Sequence, residues 1–177
     1  DNFATIVHAV ERGRGIYDNI VKFVRFQLTT NLAAIGTIVV AGVIGLPTPL
    51  TAIQVLFVNI IADGPPALAL GIDPPSQSAM DRQPREPGSA ILAPQRLLRL
   101  AGTAVVMTIL TLGVFIYARN TWGEPVALTM TFTTFVFLQL LNVLNARGEN
   151  NSLFSADSFT NKKLWATVAG VALLQVL

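Results

Sequence analysis

Apolar residues in this chain fall in long blocks rather than in the alternations or narrow stripes of a soluble domain. Phe26 to Leu46, Leu100 to Ala118 and Val126 to Leu144 carry no charge, and Ile53 to Ile72 carries one, Asp63. Each block has roughly the 20 residues that take a helix across about 30 Å of hydrocarbon. A further block, Leu164 to Leu177, has 14 residues, about 21 Å at 1.5 Å per residue. The pattern predicts an all-α fold, a polytopic membrane helix bundle of four complete transmembrane helices and a truncated fifth. Ahead of the first span, Phe3, Ile6, Val7 and Val10 recur at helical spacing, and Asp1 or Asn2 stands where a cap is needed. A short amphipathic helix is expected there, with an irregularity at Gly13 to Gly15 before the membrane. Its apolar face needs a partner that the chain does not obviously supply, so the sequence reads as a piece of a larger protein.

Composition agrees with the blocks, since 52% of residues are hydrophobic and 12% charged, against about 25% charged in soluble domains. Basic residues set the orientation, because Lys and Arg in short loops favour the cytoplasmic side. Of the twelve, eleven fall on one side: Arg12, Arg14, Lys22 and Arg25 before the first span, Arg82, Arg85, Arg96 and Arg99 between the second and third, and Arg147, Lys162 and Lys163 between the fourth and fifth. Only Arg119 lies opposite. The start of the chain is therefore cytoplasmic. The basic pI of 9.4 follows membrane topology, and no basic-aromatic stretch points to nucleic acid. The absence of cysteine excludes a disulfide framework or a thiolate metal site. "DPPSQSAMDRQPREPGSAILAPQ" reads as an irregular cytoplasmic loop, and the lone His8 as a surface or packing residue.

Chemistry concentrates in "VNIIADGPPALALG" at 58–71. An uncompensated carboxylate at the bilayer centre costs at least about 2.5 kcal/mol on insertion scales, so Asp63 requires a reason. Asn59 and Asp63 are related as i and i+4, so their side chains share one helix face. Pro65 and Pro66 lack backbone donors, which strips carbonyls of the preceding turn of partners. Broken backbone at membrane depth is tolerated where protein or a water-filled cavity covers it, and transporters use it to coordinate cations. A carboxylate, an amide oxygen and free carbonyls form a hard-oxygen set suited to Ca²⁺. The competing reading is an Asp that pairs with a neighbouring helix and shapes a kink. Gln27, Thr29, Thr30 and Asn31 in the first span, and Gln139 and Asn142 in the fourth, are further polar candidates. For these, interhelical hydrogen bonding competes with a ligand role.

Three stretches, in order and at the right spacing, resemble the class II P-type cation-transporting ATPases, which include the calcium pumps. "DNFATIVHAVERGRGIYDNIVKFVRFQL" is similar to the end of the phosphorylation domain and the stalk entering the fifth transmembrane helix. "VNIIADGPPALALGIDPP" with "MDRQPR" is similar to the sixth helix and its loop, and "FLQLLNVLNARGENNSLF" to the eighth helix and the loop after it. The resemblance implies two regions: 1–25, the end of the phosphorylation domain and the stalk, and 26–177, helices five to nine of a ten-helix pump. It makes Asn59 and Asp63 cation ligands and marks Asn31 and Gln139 as further site positions. The reticulum-type pumps carry Glu, Thr and Glu where this chain has Ala34, Ala62 and Gln139, so one Ca²⁺ site rather than two is implied. Leu68 stands where secretory-type pumps carry Gln, which weighs against Mn²⁺ transport.

The resemblance further implies that ATP and Mg²⁺ bind only in cytoplasmic domains outside this sequence, which contains no "DKTGT" motif. Its partners would be those domains, transmembrane helices one to four and the lipid bilayer, with the bacterial plasma membrane the expected location. The rival reading is a free-standing multipass membrane module, channel-like or regulatory, without ATPase activity.

Overall fold

A computed structural model describes residues 3–74, 80, 81, 83, 91–148 and 160–176. Asp1 and Asn2, the expected cap residues, lie outside these, as do most of the Pro-rich loop and 149–159. The described chain is helical throughout: α1 Phe3–Val43, α2 Ala52–Phe57, a π turn Val58–Ala62, α3 Gly64–Gly71, α4 Pro94–Trp122, α5 Glu124–Arg147 and α6 Lys162–Val176. Four stretches have the length and hydropathy to cross a membrane: Phe3–Val43, Ala52–Gly71, Pro94–Trp122 and Glu124–Arg147. Helix α6 has 15 residues, below a complete span.

The amphipathic start and the first span are not separate elements. Helix α1 continues for 41 residues through Gly13 and Gly15, about 60 Å at 1.5 Å per residue, so the expected irregularity is absent. Each glycine costs about 1 kcal/mol in a helix interior, too little to break a helix extended on both sides by good formers. Gly45 (φ +75°) ends it: Leu46 N–H donates to Ala41 O at 2.9 Å and Gly45 N–H to Gly42 O at 3.2 Å, the paired bonds of a Schellman motif.

Thr51 opens α2 with a reciprocal capping box. Its Oγ1 accepts from Gln54 N–H at 3.3 Å, and Gln54 Oε1 accepts from Thr51 N–H at 2.9 Å. Between α4 and α5 the chain turns on Gly123 alone (φ +89°), which ends one helix and begins the other. So short a connection forces the two helices into an antiparallel pair, and α4 packs mainly on α5 and α1. Gly36 allows α1 and α4 to approach closely. A Cβ there would lie 2.9 Å from Thr108 Oγ1, whose hydroxyl donates to Ala33 O at 3.3 Å.

The distribution of side chains is that of a body solvated by lipid. Ile35, Val39, Ile53, Leu68, Leu98 and Ile109 are exposed, while Thr37, Asp63, Thr111, Thr131 and Gln139 are fully buried. Lipid tails provide no hydrophobic force between helices, so small residues and hydrogen bonds hold such a bundle. Ala33, Ala62 and Ala104 accordingly share the central cluster with Phe135 and Leu140.

Candidate functional site

The break in the second span follows from its sequence. Ile61 O would accept from residue 65 in an α-helix or residue 66 in a π-helix, and both are proline, with no N–H to give. The chain widens before the break: Asp63 N–H donates to Val58 O, five residues back, at 2.8 Å, and Ala67 N–H then donates to Asp63 O at 2.9 Å. Pro65 and Pro66 fall in the first turn of α3, where a missing donor costs nothing. Asp63 is held at the joint between π turn and α3, with its side chain fully buried.

Gln139, from the middle of α5, is also fully buried, and its Nε2 donates to Asp63 Oδ1. This leaves Asp63 Oδ2 and Gln139 Oε1 buried without a hydrogen-bond partner among the described residues. Asp63 forms no ion pair among the described residues, in which no group of three or more His, Cys, Asp or Glu side chains could hold a metal. The pair therefore offers two free oxygens, one of them on a carboxylate. Unfilled acceptors at this depth are costly.

The other two predicted residues lie elsewhere. Asn59 is exposed and Asn31 half-buried; both line a cavity of about 340 Å³ with Thr30, Ala34, Leu50 and Phe135, to which Asp63 does not contribute. The expected sharing of a face by Asn59 and Asp63 rests on α-helical spacing, and the π turn between them alters the residues' rotation. Thr29 and Thr30 donate back to Arg25 O and Phe26 O at 2.8 and 2.9 Å, so the hydroxyls of the "QLTTN" stretch are engaged within their own helix. Asn142, one turn from Gln139, is buried with its Nδ2 unpartnered and lines a cleft of about 490 Å³ with Arg25 and Arg99.

Sequence reasoning missed a second buried carboxylate. Asp73, just past α3, is 4% exposed. Lys22 Nζ lies 2.6 Å from its Oδ2, Arg147 Nε lies 3.0 and 3.1 Å from its two oxygens, and Asn161 Nδ2 donates to Oδ1 at 2.8 Å. Burial pushes the Asp73 carboxyl up, but hydrogen bonds from Lys22 and Arg147, the Lys22 charge and Asn161 outweigh it and hold the group below its ordinary value. The sequence signal available was Arg147 in the last turn of α5.

The described residues form a polytopic helical bundle with an apolar exterior, buried polar side chains and one helix broken at a buried carboxylate. Residues 47–177 match the family described as cation transporting ATPase, C-terminus, and the chain belongs to that family. It is 43% identical to the calcium-transporting ATPase type 2C member 2 of Mus musculus over 179 residues, which cover 99% of this chain and 19% of that protein. It is 39% identical to the type 2C member 1 protein of Homo sapiens, over 100% of this chain and 19% of that protein. The calcium-transporting ATPase 1 of Schizosaccharomyces pombe is 38% identical, with 100% and 20% covered. The chain thus spans about a fifth of the length of these relatives. They come from mammals and a yeast, which overturns the expectation of a bacterial plasma membrane.

Proposed function

We propose that this chain is the C-terminal part of the membrane half of an ATP-driven calcium pump, comprising helices five to nine of ten, with residues 1–25 as the stalk leaving the phosphorylation domain. The relatives' names support the ion, and the buried Asp63–Gln139 pair with its two unfilled oxygens carries the reading of the site. Ca²⁺ takes 6 to 8 oxygens, more than this pair and the carbonyl of Ile61 provide. Asn59, exposed on the same broken helix, and Asn31, beside it in the 340 Å³ cavity, face the part of the bundle where helices outside this sequence would add ligands.

A single ion is the expected load, since Ala34 and Ala62 bring no oxygen-bearing side chain and Gln139 brings an amide in place of a second carboxylate. ATP and Mg²⁺ act in the cytoplasmic domains of the whole pump, and α1 carries the resulting movement into the membrane. The deciding experiment is Asp63→Asn in the intact pump, read as Ca²⁺-dependent phosphorylation by ATP. Loss of that dependence with normal expression and membrane insertion is expected. Unchanged Ca²⁺ dependence would refute the site.

A further inference from the structure

Two arginines stand immediately before apolar spans, Arg25 ahead of Phe26 on α1 and Arg99 ahead of Leu100 on α4. With Asn142 of α5 they line a cleft of about 490 Å³, a size within the range of about 300–1,000 Å³ of sites that hold small molecules. No carboxylate is among its described lining residues.

The polar groups that the cleft offers are donors. Asn142 is 5% exposed, and its Nδ2 has no hydrogen-bond partner among the described residues. A buried donor left without an acceptor is costly. Thr29 and Thr103 also line the cleft, but their hydroxyls donate back to Arg25 O at 2.8 Å and Arg99 O at 3.0 Å. Donation to a guest falls to the amide and the guanidiniums, and a guanidinium carries N–H donors and no acceptor. Two fixed positive charges repel a cation and favour an anion with several acceptor oxygens, as in a phosphate group.

Depth identifies what carries that anion. Arg99 and Val106 both line the cleft and lie seven residues apart on α4, about 10 Å at 1.5 Å per residue. The cleft thus begins at the charged border of the spans and runs about two helical turns along the apolar segment, where Leu100 and Val106 form part of its wall. A free anion gains nothing from an apolar wall at this depth. A phospholipid has its phosphate at the border, ester carbonyls just beneath and acyl chains below, and basic pockets between spanning helices on the cytoplasmic side suit anionic headgroups.

We propose that the cleft between α1, α4 and α5 binds one anionic phospholipid of the cytoplasmic leaflet. Arg25 and Arg99 hold its phosphodiester, and an ester carbonyl accepts from Asn142 Nδ2. The inference takes from the proposed function only the side of the membrane on which residues 1–25 lie, and the ion at Asp63 plays no part in it.

The test is titration of the full-length protein in detergent with phosphatidylserine or phosphatidylcholine, read by native mass spectrometry. Wild type should hold one phosphatidylserine more tightly than any phosphatidylcholine. Arg99→Gln should weaken that lipid about 5-fold, the effect of one basic residue near the surface, and Arg99→Lys should restore most of the loss. Asn142→Leu should weaken it about 2- to 10-fold. Arg99 is exposed, so the Arg99 pair keeps the test valid where Asn142→Leu does not fold. Equal phosphatidylserine affinity in wild type and the variants, the result expected if a helix outside this sequence fills the cleft, would overturn the site. So would phosphatidylcholine held as tightly as phosphatidylserine. Displacement of the lipid by millimolar inorganic phosphate would place a free anion there and overturn the lipid assignment. Asp63→Asn should keep the lipid whatever becomes of its Ca²⁺ dependence, so the two claims fail separately.

Discussion

Asp63 and Asp73 stand ten residues apart at the two ends of one short helix, both buried, and their surroundings are opposite. Asp73 is met by two cations and an amide. Asp63 is met by one amide, and one of its oxygens has no partner. A carboxylate with its acceptors filled by its own protein holds elements together. On the proposed function, one left with an open oxygen at membrane depth is available to a guest. Burial of an acid is thus a weak indicator of function by itself, and the state of its hydrogen-bond partners separates anchor from ligand.

The largest expected effect tests the anchor. Removing one partner of a buried ion pair costs about 3–5 kcal/mol because the remaining charges are left uncompensated. Asp73→Ala should lower the stability of the intact pump by that order in detergent thermal unfolding, while Asp63→Asn, which removes a charge lacking a cationic partner, should leave it near wild type. Equal losses in the two variants would erase the distinction.

Gln139→Leu is the next step down. It deprives Asp63 of its only side-chain hydrogen bond among the described residues, at about 1–3 kcal/mol for a buried group left unsatisfied, and removes one oxygen from the site. Ca²⁺ affinity, measured by titration of phosphorylation, should fall at least about 10-fold. Gln139→Glu, which keeps an oxygen at this position, should retain binding.

Much of this contrast is visible in the sequence on one side only. Asp63 stands out because it is the single charge in an apolar run, and the four spans because their blocks match the membrane's thickness. Gln139 is legible as a polar residue in a charge-free span, although its bond to Asp63 is not. The π turn cannot be read, since Gly-Pro-Pro fixes that the helix breaks and leaves open how the preceding turn relaxes. It is this turn that separates Asn59 from Asp63. Asp73 is hidden because "GIDPP" looks like an ordinary loop and its partners lie 51, 74 and 88 residues away in sequence. The continuity of α1 is equally hidden, because local breakers such as Gly13 and Gly15 say nothing of the helical turns that carry the chain past them.

Packing between α1 and α4 gives a smaller, purely structural effect against which both acids can be judged. Gly36→Ala would press a Cβ against Thr108 Oγ1 at 2.9 Å, an overpacking cost of about 1–3 kcal/mol. Gly102→Ala meets nothing within 4 Å and should gain up to about 1 kcal/mol of helix propensity. Thermal unfolding of the two variants should move in opposite directions.

The smallest effect is the pH dependence of the anchor. The Asp73 carboxyl is held below its ordinary value of 3.8, so its stabilising contribution is complete above that value and is lost as pH falls through the lowered one. The stability difference between wild type and Asp73→Asn should be constant from pH 7 to 5 and should narrow only below about pH 4. A difference that shrinks between pH 7 and 5 would place the carboxyl in the wrong range.

Equilibrium binding of radiolabelled Ca²⁺ to the intact pump tests the assignment of roles most directly. The expected result is one ion per phosphorylation site in wild type, none in Asp63→Asn and one in Asp73→Asn. Binding retained by Asp63→Asn, or two ions in wild type, would contradict the assignment of a single site to the open oxygen of Asp63.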